Sequence, residues 1–402
     1  MRFPEFSGEW KMCTIGELTT KVGSGVTPRG GEAVYKTEGH PFVRSQNVGL
    51  GNLLLDDIAF IDEETHLRQK STELQFNDVL LNITGASIGR SALVDKQIVG
   101  GNVNQHVCII RTKENLVPSF ICSFLLSNYG QRQIDSFQAG GNRQGLNFEQ
   151  IKSIKITIPS KDEQIKIAKL LRAIDERIAT QNKIIEKLQS LIKGLVDSLL
   201  ENPSWEKVYL RSFMQFYSTN SLSWEQLSYS NGNVRNLHYG LIHGFQTSMI
   251  DSTLLPRILP NYQPKQYTVC QDGDVAFADA SEDTNEIGKA IEFSNTIDVK
   301  TVCGLHTIHG RDIKQNTILG FKGFAFNSRY FHDQVRRLAQ GTKVYSITAK
   351  NLSSCYVYIP DMIKQENVVR LLNAYEENLS LNRTLLNKYE IQKQYLLQQM
   401  LI

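Results

Sequence analysis

Two tripeptides in the second half of the chain have the Asp-x-Lys form that is found on the strands of nucleases. One pairs Asp298 with Lys300, and the other pairs Asp312 with Lys314. Such tripeptides are common by chance, and no carboxylate at an equivalent place in the first half supports them. We therefore expect no nuclease chemistry from these residues.

Two histidines, His306 and His309, could suggest a metal site. On a strand, residues three apart point to opposite faces, so these two rings would not share an ion. The sequence also lacks the G-x-x-x-x-G-K-[ST] loop that cradles phosphates and the Asn-Pro-Pro or Asp-Pro-Pro signature of adenine methyltransferases. We therefore expect no catalytic residue, no metal and no cofactor in this chain.

The elements that must position any functional side chain are repeated within the sequence. Residues 150–200 align without a gap on residues 351–401, which lie 201 positions later. Ile158-Pro159 falls on Ile359-Pro360, and Gln164 falls on Gln365. The repeat predicts two copies of one unit, each ending in a long helix.

Each predicted helix carries an apolar seam whose steps alternate between four and three residues, the pattern of a coiled coil. Ser160 and Asp361 are the residue types that cap helix N-termini. The first seam contains Ile167, Leu171, Ile174, Ile178, Ile185, Leu188, Ile192, Leu195 and Leu199. The second contains Val368, Leu372, Tyr375, Leu379, Leu386, Tyr389, Leu396 and Met400.

Each seam has a polar member near its middle, Gln181 in the first helix and Asn382 in the second. Only an antiparallel pair with a central two-fold places these two residues together. A buried polar pair costs stability but fixes register and orientation. We therefore predict that the two helices pair antiparallel in this register, and the alternative is that each helix packs on its own domain.

The predicted fold class is α+β with pseudo-two-fold symmetry. Two mixed, strand-rich domains at residues 1–159 and 203–360 are each followed by a long helix, at 160–202 and 361–402. In the first domain, we expect strands at Phe42–Val48, Asp78–Ile83, His106–Arg111 and Lys155–Ile158 and a helix at Phe120–Phe137. In the second, we expect strands at Asp274–Ala278, His306–Ile308 and Tyr356–Ile359.

The composition gives no independent sign of a nucleic-acid partner. The formal net charge is +3, from 44 basic and 41 acidic side chains, whereas proteins that bind DNA tightly alone usually show a clearer basic excess. No stretch approaches a membrane span, and the first residues have no apolar signal-peptide core. The scattered cysteines, without a C-x-x-C, favour reduced thiols and a cytoplasmic location: Cys13, Cys108, Cys122, Cys270, Cys303 and Cys355.

Several short motifs recur in the same order in both halves. They are Trp10 and Trp205, Asn77-Asp78-Val79 and Gly273-Asp274-Val275, Ile88-Gly89-Arg90 and Ile287-Gly288-Lys289, Gly140-Gly141 and Gly341, and then the Ile-Pro and Gln that open each helix. With this doubled arrangement, the chain resembles the specificity subunit of a Type I restriction–modification system over nearly its whole length.

The resemblance implies a non-catalytic subunit with two target-recognition domains, each reading one half of a split, asymmetric DNA sequence. The paired helices would act as a spacer between the half-sites. Two methyltransferase subunits, which carry S-adenosylmethionine, would dock on the helices. Two restriction subunits, which use ATP and Mg²⁺, could join the complex.

The expected DNA contacts are side chains suited to base edges, since Arg can bond guanine and Asn or Gln can bond adenine with two hydrogen bonds each. In the first domain we select Thr27, Arg29, Arg44, Ser45, Gln46, Asn47, Thr84, Asn104, Gln105 and Arg143. In the second we select Arg235, His238, Tyr239, His243, Gln246, Thr247, Lys343 and Tyr345. Each could instead be a solvated loop residue or one that satisfies a local turn.

Two other functions remain open from the sequence. A coiled-coil scaffold whose domains bind protein would agree with the weak basic character. A nuclease would use the Asp-x-Lys tripeptides. The recognised bases and the spacer length do not follow from the sequence.

Overall fold

The computed structural model describes residues 2–138, 145–245 and 247–401. The chain forms two compact units. Unit 1 contains Met1–Asn182 and Thr384–Ile402, and unit 2 contains Lys183–Arg383. Each unit therefore holds one strand-rich domain with part of both long helices.

The strands of unit 1 are β1 (Lys11–Thr14), β2 (Thr19–Ser24), β3 (His40–Val43), β4 (Ala59–Ile61), β5 (Val79–Asn82), β6 (Ser91–Leu93), β7 (Asn102–Val103), β8 (Val107–Thr112) and β9 (Lys155–Ile158). Its shorter helices are α1 (Glu63–Arg68), α2 (Pro118–Leu126), α3 (Asn128–Ser136) and α4 (Phe148–Ser153). One sheet has the order β2-β8-β5-β6, a second has the order β4-β3-β7, and β1 pairs with β9.

The long helix α5 (Lys161–Leu200) is followed by the strands of unit 2. These are β10 (Glu206–Tyr209), β11 (Met214–Tyr217), β12 (Leu227–Ser228), β13 (Arg235–Leu237), β14 (Met249–Asp251), β15 (Arg257–Ile258), β16 (Val275–Ala278), β17 (Ala280–Ser281), β18 (Ala290–Ser294), β19 (Thr301–Cys303), β20 (Thr307–Asp312), β21 (Tyr345–Ser346) and β22 (Tyr356–Ile359). The helices are α6 (Leu210–Phe213), α7 (Tyr239–Gly244), α8 (Phe321–Ala325), α9 (Arg329–Leu338), α10 (Ala349–Ser354) and α11 (Met362–Met400).

The sheets of unit 2 repeat the pattern of unit 1. The main sheet has the order β11-β20-β16-β18-β14, a second has the order β12-β15-β13-β19, and β10 pairs with β22. In each main sheet the central strand is buried on both faces, and its alternate residues enter different cores. Val79 and Leu81 pack in one cluster and Leu80 in another, as Val275 and Ala276 do in unit 2.

Each central strand begins beside a buried ion pair. Arg111 donates from Nε and Nη2 to the two carboxylate oxygens of Asp78 at 2.8 and 2.7 Å. Arg311 bonds Asp274 with the same atoms and the same two distances. Because such bidentate pairs are geometrically specific, they join two neighbouring internal strands of each main sheet in the same way.

The hydrogen bonds of the glutamine in the first turn of each long helix show why this residue occurs in both copies of the repeat. The Gln164 side chain accepts from Val117 N at 2.9 Å and donates to Asn115 O and Pro159 O. Gln365 forms the same bonds to Ile318 N, Asn316 O and Pro360 O. Each amide therefore attaches the first turn of its helix to the loop before α2 or α8.

The predicted fold class is confirmed, and α5 and α11 pack together in antiparallel orientation. Within unit 1, Ile167 and Leu171 from the start of α5 share a core with Leu396 and Met400 from the end of α11. Lys393, which stands in the second helix where Ile192 stands in the first, forms a 2.6 Å ion pair with Asp175. Within unit 2, the end of α5 shares a core with the start of α11.

Two predicted elements differ from the observed ones. The strand predicted at Phe42–Val48 ends at Val43, because the Asn47 side chain accepts from Arg44 N at 3.0 Å and closes a 3₁₀ turn. The helix predicted at Phe120–Phe137 is divided into α2 and α3. Ser127 adopts an extended conformation and its hydroxyl caps α3 by accepting from Gly130 N at 3.2 Å.

Candidate nucleic-acid interface

A cleft of about 470 Å³ lies where three loops of unit 1 meet at the ends of their strands. Ser45 and Gln46 follow β3, Thr84 follows β5, and His106 precedes β8. The cleft is lined by Ser45, Gln46, Thr84, Gly85, Ala86, Ser87, Arg90 and His106. Three of the predicted contact residues are thus brought together, and Arg90 and His106 join them.

A chain of hydrogen bonds holds one wall of this cleft. The Thr84 hydroxyl bonds His106 Nδ1 at 2.5 Å, and Gln105 Nε2 lies 3.0 Å from His106 Nε2. The side-chain oxygen Oε1 of Gln105 accepts from Thr27 N at 2.9 Å. These side chains are preorganised and at least partly exposed, so they could meet a base edge without large rearrangement.

Some predicted residues of unit 1 are used to build the loops. Arg44 donates to Asp57 O at 2.7 Å, and its guanidinium lies 5.4 Å from the centroid of the Tyr35 ring. Asn47 is fully buried and donates to Leu54 O and to Asp57, each at 2.9 Å. Asn104 is 7% exposed and accepts from His106 N. Because Asn47 and Asn104 are buried and bond to their own loops, their role is to hold the loop conformation. We therefore exclude both from the proposed base contacts.

Two predicted residues of unit 1, Arg29 and Arg143, remain to be placed. Thr84 forms an isolated bridge with Gly145. Arg143 lies outside the described residues. Arg29 is exposed on the loop after β2, two residues beyond Thr27.

Unit 2 has a cluster of aromatic and imidazole rings at the matching place. The ring centroids of Trp224 and His238 are 4.5 Å apart, and those of His238 and Tyr239 are 4.7 Å apart. Tyr239 also meets His306 at 5.2 Å and His243 at 6.0 Å, both edge-to-face. His238 is buried under Trp224, so the accessible rings are those of the other four residues.

Carboxylates orient the imidazoles of this ring cluster. His306 Nδ1 lies 3.1 Å from Asp279, and His243 Nδ1 lies 3.2 Å from Glu286. Burial raises the pKa of Asp279, while the bond from His243 lowers the pKa of Glu286. Burial also lowers the pKa of His238, which favours its neutral form as the acceptor for Gly240 N.

The remaining predicted residues of unit 2 lie apart from the ring cluster or serve local structure. Arg235 donates to Leu255 O, and Thr247 donates to Met249 O at 2.8 Å. Tyr345 pairs with Ser281 across β17 and β21, and Lys343 is exposed nearby in the chain. Gln246 lies outside the described residues.

The two surfaces occupy equivalent positions on one backbone plan. Val43 and Leu237 end parallel pairings with Val103 and Cys303, respectively. The backbone bond from Ile83 N to His106 O at 3.0 Å corresponds to that from Asp279 N to His306 O at 3.1 Å. Arg44 and Ser45 therefore correspond to His238 and Tyr239, and Thr84 corresponds to Ala280. The scaffold is the same and the exposed chemistry differs.

Sequence reasoning missed Arg90, His106, Trp224, Asp279 and His306 as members of these surfaces. The alignment of His106 with His306 was the available signal, since it marks one loop in both copies. The Asp-x-Lys tripeptide at Asp312 has a structural role, because its carboxylate accepts from Lys314 N and Thr317 N, each at 3.0 Å.

Residues 7–190 match the family model described as the Type I restriction modification DNA specificity domain. The chain belongs to the family of Type I restriction–modification specificity subunits. The putative MjaX specificity subunit of Methanocaldococcus jannaschii is 20% identical over 410 residues, which cover 97% of this chain and 91% of that protein. The EcoKI specificity subunit of Escherichia coli K12 is 23% identical over 203 residues, which cover 48% of this chain and 41% of that protein.

Solved structures agree with the fold. The crystal structure of a Type I S subunit from M. genitalium has a TM-score of 0.59 at 14% identity and covers 100% of this chain and 99% of that one. A chain from a structure of a Type I restriction–modification system has a TM-score of 0.61, also at 14% identity, with 98% of each chain covered. From its family, the chain is a DNA specificity subunit, the non-catalytic component of its system. No helix among the described residues is long and apolar enough to cross a membrane.

Proposed function

We propose that the chain reads a split, asymmetric DNA sequence, with the cleft of unit 1 on one half and the ring cluster of unit 2 on the other. The observation that carries the proposal is one backbone plan that presents two different sets of side chains. A symmetric site would need equivalent chemistry on both surfaces. Two dissimilar surfaces instead suit two unrelated half-sites.

The side chains of the two surfaces favour different forms of readout. In the cleft of unit 1, Gln46 and Thr84 offer amide and hydroxyl groups and Arg90 offers a guanidinium, and Gln105 adds a second amide beside His106. These groups suit base edges in the major groove. In the ring cluster of unit 2, Tyr239 and His306 offer apolar faces with one polar edge each. Arg29, Lys343 and Thr247 are exposed and suit phosphate contacts. Arg143 and Gln246, which lie outside the described residues, stay predicted DNA contacts on their side-chain chemistry alone.

The paired helices supply the second part of the proposal, in which α5 and α11 set the spacing of the half-sites and bind two methyltransferase subunits. Gln181 and Asn382 would fix the register at the middle of the pair. S-adenosylmethionine and the flipped adenine would belong to the methyltransferases. Restriction subunits, where present, would use ATP and Mg²⁺, and the complex would act in the cytoplasm.

The near-neutral net charge of +3 agrees with this division of labour. Phosphate contacts supply most of the sequence-independent affinity of DNA-binding proteins. The methyltransferases would contribute much of that term, and this chain would contribute discrimination. We therefore expect weak, salt-sensitive binding by the chain alone.

The proposal is tested by a gel shift of a randomised duplex library at fixed salt. Three samples are compared, which contain the chain alone, the methyltransferase alone, and both proteins together. We expect a shifted, sequence-enriched fraction only when both proteins are present. A stable complex of the two proteins that enriches no sequence would contradict the proposal and favour a protein-binding scaffold. Plasmid cleavage by the chain with Mg²⁺ alone would show nuclease activity.

A further inference from the structure

Unit 2 contains a buried group of two cysteines and a histidine from distant parts of the chain. Cys270, Cys303 and His309 are 2%, 3% and 1% exposed. The two sulfurs and a ring nitrogen of His309 all lie within 4.8 Å of one another, and the sulfurs are 3.7 Å apart. The group shares no residue with the ring cluster or with the two long helices.

Three elements of the second domain hold these side chains. Cys270 precedes β16 and donates its backbone N–H to Thr301 O at 2.8 Å, Cys303 ends β19, and His309 lies in β20. His309 Nε2 is 2.7 Å from Asp274 Oδ2, which leaves Nδ1 as the ring nitrogen for a ligand. A histidine held by a carboxylate in this way is the usual arrangement behind a metal-ligating imidazole.

The other copy of the repeat provides an internal comparison. Leu74, Val103 and Ile109 occupy the equivalent positions of unit 1. Leu74 N donates to Gly101 O at 2.9 Å, as Cys270 N does to Thr301 O. Ile109 pairs with Leu80 as His309 pairs with Ala276. All three residues of unit 1 are buried in one apolar cluster.

The scaffold therefore needs only apolar side chains at these positions, yet unit 2 places two thiols and an imidazole there. Buried cysteines can act as small hydrophobic residues, and burial raises the pKa of the Cys303 thiol, which keeps it protonated in the absence of a metal. That alternative explains either cysteine alone. It does not explain why unit 2 has metal-ligating side chains at all three positions where unit 1 has apolar ones.

We propose that Cys270, Cys303 and His309 supply three ligands of a site for a thiophilic cation, with zinc as the expected ion. Two thiolates about 2.3 Å from zinc at a tetrahedral angle lie roughly 3.8 Å apart, which agrees with the 3.7 Å between these sulfurs. Sulfur and imidazole donors favour zinc over magnesium or calcium. The site joins the loop before β16 to β19 and β20, and so would stabilise the second domain only.

The first test is the metal content of the full chain, purified without chelator and measured by elemental mass spectrometry. We expect about one zinc per chain. A triple variant, Cys270→Leu, Cys303→Val and His309→Ile, installs the apolar side chains that unit 1 already packs, and it should lose the metal. Cys122→Ala and Cys355→Ala, which remove buried thiols elsewhere, are the matched controls and should retain it.

Cobalt exchange gives a readout that does not depend on the stability of the variant. Wild-type protein loaded with Co²⁺ should show a sulfur-to-cobalt charge-transfer band that added Zn²⁺ removes. A chelator should lower the thermal midpoint of the wild-type chain, and zinc should restore it. Absence of metal and of the cobalt band in wild type, equal loss in the Cys355→Ala control, or a disulfide between Cys270 and Cys303 in freshly purified protein would overturn the proposal.

Discussion

Two histidines at equivalent places in the repeat, His106 and His306, should control different halves of the recognised sequence. The perturbation is His106→Ala in one variant and His306→Ala in another. His106 bonds Thr84 and Gln105, and His306 bonds Asp279 and meets the Tyr239 ring edge-to-face. Each substitution removes one imidazole from a proposed reading surface and leaves the other surface intact.

The magnitude follows from the contacts that are lost. A side-chain hydrogen bond contributes about 0.5–1.5 kcal/mol net, and a good base-edge contact about 1–3 kcal/mol. Loss of the imidazole and of the order it imposes on its neighbours should therefore cost about 2–3 kcal/mol of binding free energy, or roughly 30- to 150-fold in Kd. The loss should apply only to duplexes that carry the half-site read by the altered unit.

The assay is selection of bound duplexes from a randomised library by the chain with its methyltransferase, followed by titration of the best sequence at fixed salt. His106→Ala should relax the bases of one half, and His306→Ala those of the other half. His40→Ala and His332→Ala are controls from the same units, outside both surfaces, and should leave the selected sequence unchanged. Relaxation of the same half by both variants, or an equal loss of affinity for all sequences, would show that these histidines do not read separate half-sites.

Three further predictions concern stability. Lys322 and Glu292 form a buried ion pair at 3.0 Å, so Lys322→Met alone should cost about 3–5 kcal/mol in denaturant unfolding. The double change Lys322→Ile with Glu292→Leu installs the residue types of the equivalent Ile121 and Leu93 of unit 1, and it should cost less than half of that. An equal cost would show that the loss does not come from an unpaired buried carboxylate. Burial raises the pKa of Glu376 to about 7 from 4.5, so its folded form holds a proton that the unfolded chain has released. Stability should therefore fall by about 2–3 kcal/mol as pH rises from about 4.5 to about 7. Glu376→Gln should flatten that part of the urea-midpoint profile, and an unchanged slope would assign it to other groups. Replacing Gln181 and Asn382 together with Leu should raise the thermal midpoint, because the buried amide of Gln181 and the half-buried amide of Asn382 would give way to apolar side chains. No rise with the helix register unchanged would argue against the predicted pairing of these two residues.

The fold was predictable from the repeat because the heptad seams and the capping residues each determine structure within a few turns of the chain. The seam residues near the ends of the long helices are buried where the heptad pattern placed them, as Ile167 at 1% exposure and Leu372 at 0% illustrate, whereas others such as Ile178 and Tyr389 are half-buried. The two errors came from side chains that compete with regular structure. Asn47 closes a turn where a strand was expected, and Ser127 caps a new helix where one helix was expected to continue.

The site was less predictable, because suitability for a base edge does not reveal exposure. Asn47 and Asn104 have the same amide chemistry as residues in the cleft, but both are buried by bonds to their own loops. Asp279 and Trp224 have no distinctive neighbours in sequence, and only the fold brings them to the rings of His306 and His238. The divergence between the two copies also hid the equivalence of Ser45 and Tyr239.

The cysteine–histidine group shows the same limit for metal chemistry. The sequence offered His306 and His309 as a pair, and their spacing argued against a shared ion. The fold instead brings His309 to Cys270 and Cys303, whose ligand atoms lie within 4.8 Å. Residues from three separate elements of one domain cannot be combined in this way from spacing alone.

The proposed reading of DNA by two different surfaces of one chain can be tested in cells. The measurement is a genome-wide map of methylated adenines in cells that express the chain with its methyltransferase. We expect a split, asymmetric motif that disappears when the chain is deleted and changes in one half only in the His106→Ala or His306→Ala strain. A continuous or symmetric motif, or a motif that persists without the chain, would contradict this proposal.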